Sequence, residues 1–143
     1  MALKQLSAFV ENKQGALVAI TDILAKEGIN LRALSIADTT NFGILRLIVD
    51  DIEKAQKILI DNGYIIKITP VIGAKMGDKP GELSVALGAL DNAGINVEYL
   101  YAFMARIENG SYVVFRVADN DAAEDVLVKA GFEIINDENI NSL

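Results

Sequence analysis

The stretch Asn12-Lys13-Gln14-Gly15-Ala16-Leu17 decides the fold of this chain, because a variant of it returns as Asp78-Lys79-Pro80-Gly81-Glu82-Leu83. Downstream of each copy, Glu27-Gly28-Ile29-Asn30 is matched in the same register by Ala93-Gly94-Ile95-Asn96. Self-similarity at a fixed spacing is the sequence signature of a duplicated structural unit. The 143 residues are therefore predicted to form two homologous copies.

A third match indicates where the two copies meet. Asn62-Gly63-Tyr64, near the end of the first copy, is echoed by Ala130-Gly131-Phe132 with a small slip in register. Slips of this kind belong in loops, which tolerate insertions. We place the join near Thr69-Pro70, which predicts one domain at residues 1–69 and a second at 70–143. A polar tail is expected from about residue 136.

Each copy is predicted to fold as strand, helix, strand, strand, helix, strand. Leu6, Ala8 and Val10 alternate as in a half-buried strand. The helix after Gly15 carries an apolar stripe made of Leu17, Ile20, Ile23 and Leu24. The other elements predicted for the first copy are strands 29–36, 44–49 and 64–68, a loop at Thr39-Thr40-Asn41 and a helix at 52–62. Those predicted for the second copy are strands 71–76, 95–106, 112–117 and 132–135 and helices 83–93 and 122–130. The predicted fold class is α+β, as two tandem ferredoxin-like βαββαβ domains with antiparallel sheets.

Two strands are apolar on both of their faces, which has a consequence for assembly. The segments Ile44–Val49 and Tyr112–Val117 lack the alternation of a sheet with one solvated face. Helices cover one face only, so the other is expected to be buried against the sister copy or against a second chain. The pattern therefore predicts a homodimer.

The composition removes most catalytic and nucleic-acid chemistry. The chain contains no Cys and no His, which excludes thiolate nucleophiles, imidazole bases and the common zinc sites. Its net charge of −7 disfavours binding to nucleic acid or to anionic membranes. No apolar run is long enough to span a bilayer and no secretory signal opens the chain, so a cytoplasmic protein without cofactor is expected.

Paired carboxylates, which would be the remaining catalytic candidates, occur at predicted helix starts. The residues concerned are Asp50, Asp51 and Glu53 in the first copy and Asp119, Asp121 and Glu124 in the second. The spacing of Asp50 with Glu53, and of Asp121 with Glu124, is that of a helix capping box. Capping therefore explains these acidic residues without an enzymatic role.

The turn between the first strand and the first helix of each copy is the candidate ligand site. Gly15 and Gly81 let the backbone bend closely, and the N–H groups that follow have no partner inside the helix. Such a helix start attracts a carboxylate. Asn12 and Asp78 precede the turns and can offer oxygens to an ammonium group. The arrangement suits a zwitterion, and hence a free amino acid.

A second pair of Asn residues extends this candidate site. Asn30 and Asn96 open the second strand of each copy, and we expect that strand to lie beside the first, which would bring both residues to the same pockets. The alternative is that Asn12 and Asn30 only stabilise the loops in which they lie, as Asn near Gly commonly does. Both readings stay open at this level.

These residues also carry a family resemblance. Glu11-Asn12-Lys13-Gln14-Gly15-Ala16-Leu17, followed by Gly28-Ile29-Asn30, resembles the signature of the ACT domain, and the second copy fits it more closely. The resemblance covers about residues 6–135. It implies a regulatory module that binds an amino acid at an interface between paired domains. The ligand-binding residues that it implies are Asn12, Gln14, Gly15, Ala16, Leu17 and Asn30, with Asp78, Pro80, Gly81, Glu82, Leu83 and Asn96.

The resemblance also bears on partners and on the competing functions. It is closest to stand-alone tandem ACT proteins and, less closely, to the small regulatory subunit of acetolactate synthase, so a partner enzyme is implied for any output. Gln14 stands where the family usually has Pro, and Asp78 where it has Asn. A ligand-independent oligomerisation or adaptor module would have the same fold, so this function remains an alternative.

Overall fold

The computed structural model describes residues 3–38, 41–104 and 110–140, so the predictions for Thr39, Thr40, residues 105–106 and the end of the tail lie outside it. The first part of the chain contains β1 (Leu3–Glu11), α1 (Ala16–Lys26), β2 (Leu31–Asp38), β3 (Phe42–Val49) and α2 (Ile52–Asp61). It continues with β4 (Ile66–Gly77), α3 (Glu82–Asn92), β5 (Tyr99–Ala102), β6 (Gly110–Arg116), α4 (Asn120–Lys129) and β7 (Ile134–Ile135). The α+β class and the order of helices and strands are as predicted from the sequence.

The chain divides into two compact units with the same strand order. The first consists of Lys4–Thr69, and the second of the described residues from Pro70 onward together with Leu3. The order is β2-β3-β1-β4 in the first unit, and β5-β6-β4 with β7 on the other edge of β4 in the second. The pairs β1–β3, β2–β3, β4–β6 and β5–β6 are antiparallel. Each unit is therefore a four-stranded ferredoxin-like sheet.

One difference from the sequence prediction concerns the strands around Pro70. Two separate strands, 64–68 and 71–76, were expected, whereas β4 is one unbroken strand, Ile66–Gly77. Proline lacks the N–H that a ladder bond needs and usually interrupts a strand, but it is tolerated where that N–H is not required. The predicted strand at 95–106 is also shorter, because β5 begins only at Tyr99.

Each unit packs two helices on one face of its sheet. In the first core, Leu6, Ala8 and Val10 of β1 pack with Ile20 and Leu24 of α1. The second core is built in the same way from residues of α3, α4, β4 and β6, among them Ile72, Ala74, Ala86, Leu90, Phe115, Ala123 and Leu127. The predicted apolar stripe of α1 is wrong at Leu17, which is exposed.

The helix caps are shifted by one or two residues from the predicted positions. Asp51, not Asp50, caps α2 by accepting a hydrogen bond from the Lys54 N–H at 3.1 Å. In α4 the cap is Asp119, which accepts from the Ala122 N–H at 3.1 Å. A carboxylate at these positions satisfies an otherwise unpaired helix N–H. The structural explanation for these acidic residues is therefore confirmed at Asp51 and Asp119.

Strands β3 and β6 each have a buried apolar residue on the face that the helices of their own unit do not cover. Ile48 and Val114 point away from the helix-covered faces, since Leu47 and Phe115 next to them belong to the cores. Both are nevertheless buried. The rest of that face of β3 is half-buried at Ile44 and Arg46 and exposed at Phe42, and the homodimer stays a prediction.

Gly73→Ala is expected to lower the free energy of unfolding by about 1–3 kcal/mol, because it overpacks the core. An added Cβ would lie 2.3 Å from Ile135 Cγ2 and 2.6 Å from Leu3 Cδ1. Urea unfolding followed by circular dichroism measures the loss. Gly88→Ala in α3 is the control, because an added Cβ there meets nothing within 4 Å. It should be neutral or stabilising; an equal loss in both variants would contradict the argument.

Candidate functional site

The candidate turns have the same backbone geometry in the two units. Gly15 and Gly81 adopt φ angles of 87° and 92°, in the left-handed region that glycine enters without steric cost. They are the N-cap residues of α1 and α3, and neither helix start has a side-chain cap, unlike α2 and α4. The first N–H groups of a helix have no intrahelical partner and favour negative charge.

In the first unit this turn forms one wall of a cavity of about 510 Å³, which we call the first cleft. It lies between the end of β1, the start of α1 and the turn that leads from α2 into β4. Its lining consists of Phe9, Val10, Glu11, Lys13, Gln14, Gly15, Ala16, Ala19, Phe42, Gly63, Tyr64 and Ile65. A volume of this size is within the range of small-molecule sites.

The first cleft combines an apolar wall with one pair of opposite charges. Phe9, Phe42 and Ile65 are 47%, 54% and 70% exposed, although each is a large apolar side chain. Lys13 Nζ and Glu11 Oε2 lie 2.9 Å apart and both side chains are largely exposed. The cleft therefore offers an apolar surface, a cation, an anion and a helix start to one small molecule.

The second unit has a cavity of about 480 Å³ in the equivalent place, which we call the second cleft. Its lining consists of Lys75, Gly77, Pro80, Gly81, Glu82, Val85, Ala130, Gly131, Phe132 and Glu133. In the repeat, Gly81, Glu82 and Val85 correspond to Gly15, Ala16 and Ala19, and Gly131 to Glu133 correspond to Gly63 to Ile65. The duplication has thus preserved a cleft at the same place in both units.

The lining chemistry of the second cleft differs from that of the first. Lys75 and Glu133 take the places of Phe9 and Ile65. Burial raises the pKa of Tyr112, which pairs with Lys75 across β4 and β6, and the negative charge of Glu133 raises it further. The wall formed by Lys75 and Glu133 in the second cleft is therefore charged, whereas the equivalent wall of the first cleft, Phe9 and Ile65, is apolar.

The residues predicted from the sequence are placed only partly in these clefts. Gln14, Gly15 and Ala16 line the first cleft, and Pro80, Gly81 and Glu82 line the second. Asn12, Leu17, Asp78 and Leu83 are close to them in the chain but are not part of either lining. The Asn12 N–H donates a hydrogen bond of 3.0 Å to the Asn41 carbonyl oxygen, so the Asn12 backbone holds the turn to the residue before β3.

Asn30 and Asn96 are separated from the clefts of their own units. The expectation that the second strand lies beside the first is wrong, because β3 lies between β1 and β2, and β6 between β4 and β5. The Asn30 N–H donates to Asp50 Oδ1 at 3.0 Å, and its carbonyl oxygen accepts from the Asp50 N–H at 3.1 Å. Asn96 lines a different cavity of about 360 Å³, with Leu87, Asp91, Gly94, Ile95 and Val97.

Several cleft residues were not identified by the sequence reasoning. Phe9, Phe42 and Ile65 come from three separate segments, and no local motif marks them as neighbours. A signal did exist for one of these segments: the match between Asn62-Gly63-Tyr64 and Ala130-Gly131-Phe132 marks the turn that closes each cleft. In the sequence, this match indicates the repeat but not the cleft.

Within the described ranges, 3–38, 41–104 and 110–140, no group of three His, Cys, Asp or Glu residues could hold a metal ion. In the same part of the chain, no helix is both long and apolar enough to cross a membrane.

Solved structures with the same fold cover nearly the whole chain. A protein from Bacteroides thetaiotaomicron is 43% identical, with a TM-score of 0.87 over 94% of this chain and 92% of that one. The regulatory subunit of aspartate kinase from Thermus thermophilus, in its ligand-free form, is 16% identical, with a TM-score of 0.68 over 92% and 94% of the two chains. The corresponding subunit from Thermus flavus is 15% identical, with a TM-score of 0.61 over 91% and 94%.

No curated protein matches the sequence significantly. The family described as the ACT domain pair matches it over residues 1–143. That match agrees with the repeated turn motif, the duplicated ferredoxin-like sheet and the paired clefts. This protein belongs to the family of ACT domain pairs.

Proposed function

We propose that this protein is a non-catalytic regulatory protein that binds a free amino acid at a cleft beside the turn between the first strand and first helix of an ACT unit. ACT domains are regulatory modules, and the ACT domain pair matches residues 1–143 of this chain. The observation that carries the proposal is the presence, in both units, of a cleft at the equivalent helix start, which has no side-chain cap. Duplication has kept this feature although the residues around it have changed.

The chemistry of the first cleft supports a zwitterionic ligand. The start of α1 favours a carboxylate, because the positive end of the helix dipole lies at the turn. Lys13 adds a positive charge, and Glu11, 2.9 Å from it, can accept from an ammonium group. Asn30 does not line this cleft, so we assign the ligand contacts of the first unit to the turn at Gly15 and not to Asn30.

Ligand binding would be transmitted to a partner, since a regulatory module has no reaction of its own. We expect the partner to be an enzyme of amino-acid metabolism. Two structures that share the fold are regulatory subunits of aspartate kinase, and the first copy resembles the acetolactate synthase regulatory subunit, so both enzyme classes are candidates. Assembly into a homodimer is part of the proposal and is measured by analytical ultracentrifugation with and without ligand.

Thermal unfolding with each of the common amino acids at millimolar concentration tests the proposal. A ligand present at about 100 times its dissociation constant stabilises the folded state by about 2.7 kcal/mol. For a chain of this size that raises the unfolding midpoint by about 5–10 °C. We expect this shift with one amino acid or a few related ones. The corresponding amino-acid amide, which lacks the carboxylate, should give little shift.

Asn30→Ala is the matched control, because Asn30 lies outside the first cleft and makes both of its hydrogen bonds to Asp50 through its backbone. The variant should keep the ligand-dependent shift. The absence of a shift with every amino acid would contradict the proposal and favour the adaptor. The exposed side chains of Phe9, Phe42 and Ile65 are the observation that would then favour a protein-binding surface.

A further inference from the structure

We propose that the two clefts have different roles: the first binds an amino acid with an apolar side chain, and the second is closed to such ligands by the carboxylate of Glu82. This inference rests on the proposed function and names its ligand class. It follows from a comparison of equivalent positions in the two units, where the backbone is alike and the side chains differ.

The walls of the first cleft favour an apolar side chain. Phe9 and Phe42 reach the cleft from adjacent strands, and Ile65 reaches it from the turn before β4. All three are substantially exposed, whereas most of the aromatic side chains in strands β5 and β6 are buried. Covering exposed apolar surface is favourable roughly in proportion to the area removed from water.

The same cleft carries charges that complement the backbone end of such a ligand. Glu11 and Lys13 are the charged residues of its lining, and they are of opposite sign. A free amino acid with an apolar side chain has the same composition: one cation, one anion and an apolar body. An internal peptide segment lacks the free backbone ammonium and carboxylate, and a dicarboxylate lacks the apolar body.

The second cleft already contains a carboxylate of the chain. Glu82 is the first residue of α3 and takes the place of Ala16 in the repeat. Its Oε1 lies 3.0 Å from the position that a Cβ on Gly77 would occupy, so the carboxylate packs over Gly77 beside the helix start. In the repeat, Gly77 corresponds to Glu11 of the first unit, and the Glu11 side chain pairs with Lys13. A ligand carboxylate entering here would meet a like charge.

The remaining walls of the second cleft disfavour an apolar side chain. Lys75 and Glu133 stand where Phe9 and Ile65 stand in the first cleft. An apolar side chain placed against them would remove charged groups from water without a compensating hydrogen bond, which is unfavourable. The second cleft thus lacks the apolar wall of the first and carries two carboxylates, Glu82 and Glu133, beside one cation, Lys75.

Isothermal titration with leucine, isoleucine, valine, methionine and phenylalanine, compared with serine, aspartate and lysine, tests the ligand class. We expect one binding event per chain, for one or more of the apolar amino acids. Two equivalent events per chain would overturn the inference, as would binding of the polar amino acids alone. Either of those results would still leave the proposed function standing. No binding of any amino acid would contradict the proposed function itself.

Exchanging the residues at the equivalent position tests the role of Glu82. Ala16→Glu should weaken binding of the apolar ligand at least about a hundredfold, because it places a like charge beside the ligand carboxylate. Ala16→Gln, of similar size but neutral, should weaken it much less, and circular dichroism checks that both variants fold. Equal losses in the two variants would show that size and not charge matters, against the inference.

Glu82→Ala provides the reciprocal test in the second cleft. The variant should bind glycine in the second cleft, because glycine has no side chain to contact Lys75 or Glu133. The parent should show no such event at the same concentrations. If the second event is absent from the variant, Glu82 is not the residue that closes the cleft and the inference fails.

Discussion

Ala19→Trp is expected to remove the stabilisation by ligand, which amounts to about 2.7 kcal/mol at a ligand concentration 100 times the dissociation constant. Ala19 is an exposed residue of α1 that lines the first cleft, so an indole at this position would fill space that the ligand needs. Because Ala19 is exposed and the cleft is empty without ligand, the substitution should change the stability of the ligand-free protein by less than about 0.5 kcal/mol. Thermal unfolding with and without ligand separates the two effects.

Two further tryptophan variants serve as matched controls for this prediction. Val85→Trp places the same side chain at the equivalent position of the second cleft. Ala25→Trp places it at an exposed position near the other end of α1, outside the first-cleft lining. Both should retain the ligand-dependent shift. Loss of the shift in Val85→Trp together with its retention in Ala19→Trp would place the ligand in the second unit and contradict the prediction.

Leu59→Ala is expected to lower the free energy of unfolding by about 2–5 kcal/mol. Leu59 of α2 is 0% exposed and packs in the first core between the helices and the sheet. Removing its side chain loses the burial of several methyl and methylene groups and leaves a cavity that the packed core refills only in part. Urea unfolding followed by circular dichroism measures the change.

Ile60→Ala is the control for this prediction, because the next residue on the same helix is 52% exposed. It should change stability by less than about 0.5 kcal/mol. The second unit offers an independent repetition of the pair, with Leu127 buried and Val128 exposed on α4. Similar losses at the buried and exposed positions of a pair would show that the assignment of the core face is incorrect.

The repeat made much of this fold readable from the sequence. Local chemistry, which acts over a few residues, marked the helix starts and the turns: Gly15 and Gly81 adopt the left-handed backbone conformation that such turns require. Alternation in β1 and apolar spacing at Ile20 and Leu24 identified the face that packs in the core. The prediction of the α2 cap was wrong by one residue. Asp50 and Asp51 are adjacent and both can accept a hydrogen bond, and only the backbone geometry selects Asp51 as the cap.

The separation of Asn12 from Asn30 is an example of what local patterns do not contain. The two residues lie in separate segments of the signature, 11–17 and 28–30, and the sequence pattern predicted that both belong to one pocket. Their true separation follows from β3, which pairs with β1 and β2 and so comes between them. That pairing is decided by long-range burial and ladder hydrogen bonds, and a short window of sequence does not encode it.

By itself, the sequence determined the duplication, the order of helices and strands, and the glycine turns that precede α1 and α3. The tertiary structure alone decided which side chains surround those turns. Phe9, Phe42 and Ile65 are distant along the chain and meet only because β1 lies between β3 and β4. Lys75 and Glu133 meet in the second unit for the same reason. The turn chemistry is local and repeats with the motif, whereas the cleft walls depend on strand pairing, which brings residues of different character together in each copy.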